Sequence, residues 1–274
     1  MTLSEKYDKL KKYLLSLEGV AVAFSGGVDS AFLLKAAHDV LGDKTIAVTA
    51  KSQVFPEREM KEAEDFCKSE SIKQIVFNLN QLEIRGFKDN PPDRCYICKK
   101  ELMSKIKTIA EENNLKHVAE GSNIDDLGDY RPGLQAVSEF NIKSPLRYAG
   151  LNKAEIRELS KRMGLKTCDK PSFACLASRF PYGEEITGEK LIMIDRAEQL
   201  LINLGFNQIR VRIQGETARI EACEKDFSKL FEKETREKII SEFKKYGFTY
   251  ISADLQGYRT GSMNETLKGA EKSG

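Results

Sequence analysis

The feature that most constrains the fold of this chain is a short apolar run that ends in a polar glycine turn. Val20-Ala-Val-Ala-Phe24 mixes β-branched and small apolar residues, which is typical of a buried parallel strand. Ser25-Gly-Gly-Val-Asp-Ser30 follows, and a helical pattern of apolar residues continues from Ala31. The two glycines allow a tight turn and a close approach of the backbone to a ligand. A strand, a glycine turn and a helix N-terminus together predict a cradle of backbone N–H groups for an anion.

This turn, the glycine loop (residues 25–30), differs from two common phosphate-binding motifs. It matches neither the GxGxxG pattern of dinucleotide-binding folds nor the GxxxxGK[ST] pattern of P-loop proteins. It resembles the pyrophosphate loop of ATP pyrophosphatases, enzymes that cleave ATP between its α and β phosphates to adenylate a substrate. The resemblance implies that ATP is bound through Ser25, Gly26, Gly27, Asp29 and Ser30. The alternative is an ordinary glycine turn between a strand and a helix of any doubly wound sheet.

Periodicity in the first part of the chain predicts strands that alternate with helices. The predicted strands are 20–24, 45–49, 74–77 and 116–120, and the predicted helices are 3–17, 30–41, 57–69, 96–113 and 152–163. Such alternation predicts right-handed βαβ units and an α/β fold with a doubly wound parallel sheet. The glycine loop implies that this sheet is of the PP-loop (adenine nucleotide alpha hydrolase-like) type. In such sheets ligands bind at the carboxyl ends of the strands, where the glycine loop lies.

The pattern changes near residue 165, which predicts a second, smaller domain. Residues 167–187, the joining segment, lack clear periodicity and are predicted to connect an ATP pyrophosphatase domain (1–166) to a small α+β substrate-binding domain (188–274). In the smaller domain the pattern predicts a helix at 188–203, strands at 208–213 and 217–222, a charged helix at 226–245 and a strand at 248–252, with an antiparallel sheet. The tail from Leu267 is expected to fray.

Composition and charge argue against several classes of function. Lys and Arg number 44 and Asp and Glu number 42, so net charge gives no support to a nucleic-acid partner or an anionic membrane surface. No apolar run approaches the roughly 20 residues needed to span a bilayer, and the charged N-terminus has no signal-peptide pattern. We therefore expect a cytoplasmic protein without a membrane partner. Its six cysteines are expected to be thiols, metal ligands or reactive groups rather than disulfides.

A second polar segment, the acidic loop (residues 120–126), directly follows a predicted strand. It reads Glu120-Gly-Ser-Asn-Ile-Asp125-Asp126, and small residues at a strand end let a nucleotide approach. Paired carboxylates can hold Mg²⁺ between phosphate oxygens. Asp125 and Asp126 resemble the acidic pair that ATP pyrophosphatases carry at this point, so the loop predicts a site for Mg²⁺. The alternative is a helix cap with solvated turn acids.

The cysteines indicate metal or sulfur chemistry. Cys95 and Cys98 have the CxxC spacing of a metal or redox site, and Cys175 lies in the joining segment. A zinc ribbon would need a second CxxC or a histidine pair, and the only histidines, His38 and His117, fall in predicted regular elements. A thioredoxin-type pair belongs to a much smaller fold. Three cysteines can instead hold three corners of a [4Fe–4S] cluster and leave the fourth iron open to another ligand.

Alternation in the second domain places arginines on one face of the sheet. In Gln208-Ile-Arg-Val-Arg-Ile213 the apolar residues share one side, so Arg210 and Arg212 share the other. Arg219 occupies the polar side of the following strand. Guanidinium pairs on a rigid strand suit bidentate capture of a phosphate or carboxylate. The alternative is an ordinary solvated sheet face.

Three segments together resemble the LarE family of ATP-dependent sulfur transferases. They are Arg94-Cys-Tyr-Ile-Cys-Lys99, Pro171-Ser-Phe-Ala-Cys-Leu-Ala-Ser-Arg-Phe-Pro-Tyr-Gly183 and Leu255-Gln-Gly-Tyr-Arg-Thr-Gly-Ser-Met-Asn-Glu265. The resemblance runs from the N-terminal helix to Glu265, which is nearly the whole chain. It implies an enzyme that activates the carboxylates of pyridinium-3,5-biscarboxylic acid mononucleotide as acyl-adenylates, releases pyrophosphate and forms thiocarboxylates. Enzymes of this family help to make the nickel-pincer nucleotide cofactor of lactate racemase.

The resemblance also implies residues of the substrate site. Cys175 corresponds to the catalytic, sulfur-bearing cysteine of the family. Glu198, Arg210 and Arg212 resemble the residues that hold the phosphate and carboxylate end of the substrate. The partners implied are a small-molecule nucleotide substrate, a sulfide donor that the sequence leaves unidentified, and further copies of the chain in a homo-oligomer.

Two sources of sulfur are known in this family. Some members sacrifice the sulfur of the catalytic cysteine and finish with dehydroalanine after one turnover. Others bind a [4Fe–4S] cluster through three cysteines, and its open iron ligates an extra sulfide. Because it carries Cys95, Cys98 and Cys175, this chain resembles the cluster type, with ATP, Mg²⁺ and the cluster as implied cofactors.

Two other functions fit parts of the sequence. Several tRNA thiolases use the same adenylation chemistry and some bind a three-cysteine cluster, but the balanced charge and the lack of a further CxxC module or basic extension disfavour RNA. A non-catalytic nucleotide sensor would keep the ATP-binding fold without chemistry. The acids of both loops and the cysteine in the joining segment disfavour that alternative.

Overall fold

The computed structural model describes residues 1–128, 132–171, 174–259 and 261–264, and the chain divides into two compact units. The first unit comprises Met1–Ile84 and Asp93–Phe173, and the second comprises Arg85–Pro92 and Ala174–Gly274. The boundary between Phe173 and Ala174 falls inside the joining segment. The short stretch Arg85–Pro92 groups with the second unit because its backbone pairs with that unit: the Gly183 and Ile186 amides donate to the Asn90 and Lys88 carbonyls. The predicted frayed tail lies outside the described residues.

The first unit is built on a parallel sheet. Over the described residues its strands are β1 (Val20–Ala23), β2 (Thr45–Lys51), β3 (Lys73–Asn78) and β4 (Val118–Ala119). The strand order is β3-β2-β1-β4, and every pairing is parallel. The strands predicted from periodicity are all present, and the α/β fold class is confirmed.

Helices connect these strands and flank them along the chain. They are α1 (Leu3–Ser16), α2 (Val28–Leu41), α3 (Glu57–Ser69), α4 (Arg94–Glu112), α5 (Gly133–Glu139), α6 (Pro145–Ala149) and α7 (Lys153–Arg162). α3 has the predicted bounds, whereas α2 and α4 each begin two residues earlier than predicted. The short helices α5 and α6 were not predicted, because five to seven residues are too few for a helical period to show.

Both faces of the sheet are buried along the inner strands β1 and β2, as a doubly wound fold requires. Along β1, Val20 and Val22 pack into one apolar core, and Ala21 between them packs into another. The first core holds the buried side of α2, and the second holds Met103 and Ile106 of α4. Because successive strand residues point to opposite faces, a run that is apolar at every position is the pattern that two-sided burial needs.

The second unit contains a smaller sheet with helices. Its elements over the described residues are α8 (Gly188–Asn203), β5 (Ile209–Gln214), β6 (Thr217–Ala222), α9 (Phe227–Phe231), α10 (Lys233–Tyr246) and β7 (Tyr250–Ala253). α8 has the predicted bounds. The predicted helix 226–245 is instead two helices, since the backbone at Glu232 is extended with ψ 139°.

The prediction of an antiparallel sheet in the second unit is wrong for one of its two pairings. β5 and β6 are antiparallel, but β6 and β7 are parallel. The physical reason is the connection: a helical crossover of the length of α10 returns the chain in the same direction, whereas antiparallel neighbours need only a short turn. No helix of the described ranges combines the length and the apolar character needed to traverse a bilayer.

Candidate functional site

The glycine loop joins the carboxyl end of β1 to the first turn of α2. Gly26 has φ +72°, a conformation that side chains with a Cβ rarely adopt, and a Cβ there would lie 3.2 Å from the Cβ of Ala63. The Ser30 hydroxyl closes the turn: it accepts from the Ser25 amide at 3.3 Å and donates to the Gly27 carbonyl at 3.1 Å. The sequence therefore forms the tight turn and helix N-terminus that were predicted from it.

Asp29 in this loop is paired with a lysine that the sequence patterns did not single out. The Lys153 ammonium lies 2.5 Å from Oδ2 of Asp29, and the Asn123 side-chain amide donates to Oδ1 at 3.4 Å. Both charged side chains keep some exposure, 32% for Lys153 and 24% for Asp29. Lys153 comes from the start of α7, more than a hundred residues away along the chain, so no local pattern could have identified it.

The acidic loop packs directly against the glycine loop. A Cβ on Gly121 would lie 3.0 Å from the Ser30 amide nitrogen, so a side chain there would require the backbone of the first turn of α2 to shift by a few tenths of an ångström. The Asp125 carboxylate accepts from the backbone amide of Lys153 at 2.8 Å, and the Asp126 carboxylate accepts from the Asn123 amide at 2.9 Å. Both carboxylates thus accept from backbone amides of the acidic loop or of the start of α7. Their use as Mg²⁺ ligands stays a prediction.

A second lysine contacts the glycine loop from the joining segment. The Lys170 ammonium donates to the Gly26 carbonyl at 3.1 Å and pairs with Glu59 and Glu62 of α3 at 2.7 and 2.5 Å. The segment around it is fixed by Arg157, whose guanidinium donates to the carbonyls of Cys168 and Lys170. The start of the joining segment is therefore held on the glycine loop.

Cys95 and Cys98 lie in the first turns of α4, where CxxC spacing puts them on neighbouring positions of one helix face. Cys95 is exposed and Cys98 is half-buried. Lys99, which follows them, places its ammonium 3.5 Å from Oε2 of the buried Glu120. Within the first unit, the contact of Lys99 with Glu120 therefore joins the CxxC turn to the acidic loop. The acidic loop in turn packs against the glycine loop.

The remaining cysteines differ in their surroundings. Cys67 is buried in α3, and burial raises the pKa of its thiol to about 12. Cys168 and Cys223 are half-buried and donate to Asp169 and Gln208 at 3.4 and 3.5 Å. All six cysteines lie in the described ranges, and none of them forms a disulfide there.

Cys175 stands in the second unit at the start of a 3₁₀ turn, Leu176–Arg179. The Arg179 guanidinium donates to the carbonyls of Ala174 and Cys175 at 3.0 and 3.3 Å and to the Ser178 hydroxyl at 2.8 Å. That hydroxyl in turn donates to the Cys175 carbonyl at 2.7 Å. The backbone that carries the cysteine is therefore fixed from one side by a single guanidinium.

Arg179 is itself held by Glu198. The two side chains are wholly buried and form a bidentate pair, with Nε–Oε1 2.8 Å and Nη2–Oε2 3.0 Å. Burial by itself would raise the pKa of Glu198, but the Arg179 guanidinium outweighs it and holds that pKa below its usual range. The Val211 amide also donates to Oε1 at 3.0 Å. Glu198, predicted to touch substrate, thus supports the Cys175 turn; contact with substrate stays a prediction.

Arg210 and Arg212 do not form a solvated sheet face, so that alternative is wrong for both. Arg210 is 5% exposed and lies 5.1 Å from the centroid of the Tyr258 ring. Arg212 pairs with the buried Glu221 at 3.0 Å and donates to the Ser178 carbonyl and the Ser262 hydroxyl. Arg219, at 45% exposure, is the solvated member of the set. The burial comes from segments outside the strand, which alternation within the strand cannot reveal.

In each unit, taken over its described residues, no three His, Cys, Asp or Glu side chains are gathered as a metal site would need. Cys95 and Cys98 belong to the first unit, and Cys175 belongs to the second. The predicted cluster ligands are therefore contributed by both units, and their assignment stays a prediction.

A doubly wound parallel sheet with a serine- and glycine-rich loop between an inner strand and its helix defines the first unit as a PP-loop domain of the ATP pyrophosphatase type. Residues 3–115 match the NAD synthase family. The chain is 36% identical to the pyridinium-3,5-bisthiocarboxylic acid mononucleotide synthase of Lactiplantibacillus plantarum, over 98% of both chains. It is 38% identical to the uncharacterized protein slr1717 of Synechocystis, over 97% of this chain and 99% of that one. The chain belongs to the LarE family.

A more distant similarity concerns the alternative function. The chain is 27% identical to the tRNA-specific 2-thiouridylase MnmA of Leptospira biflexa, but over only 56% of this chain and 50% of that protein. The similarity to the synthase, by contrast, includes both units.

We predict that Glu198→Gln lowers the free energy of unfolding by about 3–5 kcal/mol, because it leaves the buried Arg179 guanidinium without its counter-charge. The control is Glu184→Gln, which breaks the partly exposed pair with Lys190 and is expected to cost only about 0–1 kcal/mol. Urea unfolding at pH 7 measures both. If both substitutions lower the free energy of unfolding by the same small amount, Glu198 does not stabilise the buried Arg179 guanidinium as proposed.

The stability of the Glu198→Gln variant is also expected to depend on pH differently from that of the wild-type protein. Because folding lowers the pKa of Glu198, its contribution to stability is present at neutral pH and is lost as pH falls through the lowered pKa. Unfolding of the Glu198→Gln variant should accordingly depend less on pH in the acid range than unfolding of the wild-type protein.

Proposed function

We propose that this chain is an ATP-dependent sulfur transferase acting on pyridinium-3,5-biscarboxylic acid mononucleotide. It adenylates the substrate carboxylates and converts them to thiocarboxylates of the nickel-pincer cofactor of lactate racemase, in the reducing cytoplasm where thiols persist. The observation that carries the proposal is the full-length similarity to the L. plantarum synthase, which spans both the glycine loop and the turn of Cys175.

In the first step a substrate carboxylate oxygen attacks the α-phosphorus of ATP, and pyrophosphate leaves with the electrons of the broken P–O bond. The chain supplies the backbone N–H groups of the glycine loop at the N-terminus of α2, where an anion is favoured. The side chains proposed to hold Mg²⁺ are Asp125 and Asp126, whose oxygens suit a hard cation. Bound there, Mg²⁺ supplies charge neutralisation for the phosphates.

In the second step a sulfur nucleophile replaces AMP at the activated carbonyl carbon. The cysteines proposed to hold a [4Fe–4S] cluster are Cys95, Cys98 and Cys175, all of which keep some contact with solvent, whereas Cys67 does not. Three thiol side chains would suit such a cluster, which would supply the sulfur atom as an extra sulfide. Arg179 and Ser178 orient the backbone of Cys175. In the alternative, the Cys175 sulfur itself is transferred and dehydroalanine remains.

The first prediction from this function concerns the products of ATP cleavage. Wild-type protein with Mg²⁺ and the pyridinium mononucleotide should form AMP and pyrophosphate. Asp29→Asn should lower pyrophosphate release by about 10²-fold or more, because it removes the carboxylate charge that holds the Lys153 ammonium beside the glycine loop. Asp39→Asn, also on α2 but on its exposed pair with Lys35, is the control and should leave the rate unchanged. Formation of ADP and orthophosphate would contradict the assignment.

The second prediction concerns substrate capture by the arginines. Arg212→Gln should weaken binding of the pyridinium mononucleotide about tenfold or more, since a charge-assisted contact contributes roughly 1.5–3 kcal/mol. Arg219→Gln is the matched control, because Arg219 shares the carboxylate of Glu221 with Arg212 but is mostly exposed. Isothermal titration of the substrate and of ATP measures both. A preference for tRNA over the mononucleotide would favour the thiolase alternative, and an equal loss for substrate and ATP would assign Arg212 a structural role.

The third prediction concerns the source of sulfur. Cys95→Ala, Cys98→Ala and Cys175→Ala should each lose both the brown chromophore and sulfur transfer after anaerobic reconstitution with iron and sulfide. A cluster needs all three thiolates, whereas a sacrificial donor needs one. Cys168→Ala and Cys223→Ala are the controls, since both thiols are half-buried like Cys98 and Cys175.

The sacrificial mechanism would give the opposite pattern. Cys95→Ala and Cys98→Ala would stay active, and Cys175 would lose about 34 Da, the mass of H₂S, as its sulfur is transferred. Intact-protein mass spectrometry after a single turnover distinguishes the two outcomes.

A further inference from the structure

Lys170 makes a contact with the glycine loop that a tether between the joining segment and α3 would not need. Its ammonium already pairs with two carboxylates of α3, Glu59 at 2.7 Å and Glu62 at 2.5 Å. It also donates to a backbone group, the Gly26 carbonyl, at 3.1 Å. The lysine side chain is only 10% exposed, so this charge-assisted contact is largely shielded from solvent. A largely buried ammonium is therefore directed at a peptide group of the glycine loop.

That peptide group, between Gly26 and Gly27, is poorly fixed by its own residues. Turning it over changes only ψ of Gly26 and φ of Gly27, and neither residue has a Cβ to oppose the rotation. The next peptide group is fixed, since the Gly27 carbonyl accepts from the Ser30 hydroxyl at 3.1 Å and the Ala31 amide at 2.9 Å. The orientation of the 26–27 peptide therefore depends on a contact from outside the loop, such as that of Lys170.

The orientation of this peptide decides which of its two dipole ends faces a ligand. In a planar trans peptide the C=O and N–H bonds point in opposite directions. Because the Gly26 carbonyl is held on Lys170, the Gly27 N–H points away from the ammonium. Gly27 directly precedes α2, at the helix end where an anion is favoured. A flipped peptide would instead present a carbonyl oxygen there, which repels phosphate.

The lysine is itself held in place from two sides. The guanidinium of Arg157 in α7 donates to the carbonyls of Cys168 and Lys170, which fixes the backbone that carries the lysine side chain. The loop packs on the helix that supplies the two carboxylates, since a Cβ on Gly26 would lie 3.2 Å from the Cβ of Ala63. The contact with the Gly26 carbonyl is therefore already formed before any ligand binds.

We propose that Lys170 is a positioning residue for ATP: its ammonium holds the peptide between Gly26 and Gly27 in the orientation that directs the Gly27 N–H at the phosphates. In this role the lysine does not itself contact the nucleotide. The inference rests on the proposed function and deepens it, because it names what fixes the anion cradle of the glycine loop. It also gives the start of the joining segment a part in ATP binding.

The first test compares two lysines that each lie between two carboxylates. In Lys170→Met protein, Mg²⁺·ATP should bind about tenfold weaker or more, because a hydrogen bond to a charged phosphate is lost. Lys35→Met is the matched control and should leave the ATP affinity unchanged. Lys35 lies on α2, and its ammonium is 2.6 Å from Asp39 and 3.3 Å from Glu70 at the end of α3. Isothermal titration of the intact chain gives the dissociation constants.

Lys170→Arg keeps a charged donor for the Gly26 carbonyl. This variant should bind ATP more tightly than Lys170→Met, and it keeps the test available if the methionine variant folds poorly. Binding of the pyridinium mononucleotide without ATP should be the same in the wild-type protein and in both Lys170 variants, since the proposed effect is confined to the glycine loop.

A double-mutant cycle with Gly27→Ala tests the peptide orientation directly. Flipping the peptide would take φ of residue 27 to positive values, which alanine disfavours, whereas its present φ of −79° suits alanine. A Cβ there would lie 3.5 Å from the Ser25 hydroxyl oxygen, an ordinary van der Waals distance. Whatever Gly27→Ala does by itself, Lys170→Met should weaken ATP binding by about threefold or less in its presence, because the alanine already opposes the flip.

Three outcomes would overturn the proposal. If Lys170→Met lowers the melting temperature but leaves the ATP dissociation constant at the wild-type value, Lys170 is a structural tether. If the loss of ATP affinity is the same with and without Gly27→Ala, the ammonium does not act through the peptide. If Lys35→Met weakens ATP binding equally, the effect is not specific to the glycine loop. Failure of the wild-type protein to form AMP and pyrophosphate would contradict the proposed function instead, and it is measured separately from ATP affinity.

Discussion

The nucleotide end of this fold depends on the direct contact of Gly121 with the first turn of α2. Any Cβ at that position would approach the Ser30 amide nitrogen to 3.0 Å, so the lack of a side chain at residue 121 lets the acidic loop reach the glycine loop without a shift of its backbone. That approach puts Asn123 within hydrogen-bond distance of Asp29 and the start of α7 against Asp125. In a parallel sheet the carboxyl ends of the strands lie at one edge. Gly121 lets the two loops at that edge pack against each other.

In the second unit, the buried ion pair of Arg179 and Glu198 positions the turn that carries Cys175. Burying Arg179 and Glu198 carries a desolvation cost that the bidentate contact and the Val211 amide offset. An apolar pair could fill the same volume but could not donate to the carbonyls of Ala174 and Cys175. The pair therefore specifies the backbone around one cysteine, and its loss is expected to affect both stability and the position of that thiol.

Local patterns in the sequence predicted the elements well and their partners poorly. The two-sided apolar run of β1 and the glycines after it were enough to predict the parallel sheet and its loop. Lys153 and Arg179 were missed because their contacts join residues distant in sequence or depend on burial. Alternation placed Arg210 and Arg212 on one face but could not show that other segments cover it. The parallel pairing of β7 could have been inferred from the helix that precedes it, since such a crossover favours parallel strands.

The surroundings of the cysteines indicate, better than their number does, which thiols are suited to act as a ligand or a nucleophile. A thiol becomes a ligand or a nucleophile as its thiolate, and the buried Cys67, with a pKa raised to about 12, stays protonated at neutral pH. Cys168 and Cys223 donate their hydrogens to neighbouring oxygens. Cys95, in contrast, is exposed at the start of α4, one turn from Cys98 and next to the residues that connect to the acidic loop. The Lys99 ammonium, 3.5 Å from Glu120, therefore ties the turn that carries Cys98 to the acidic loop of the first unit.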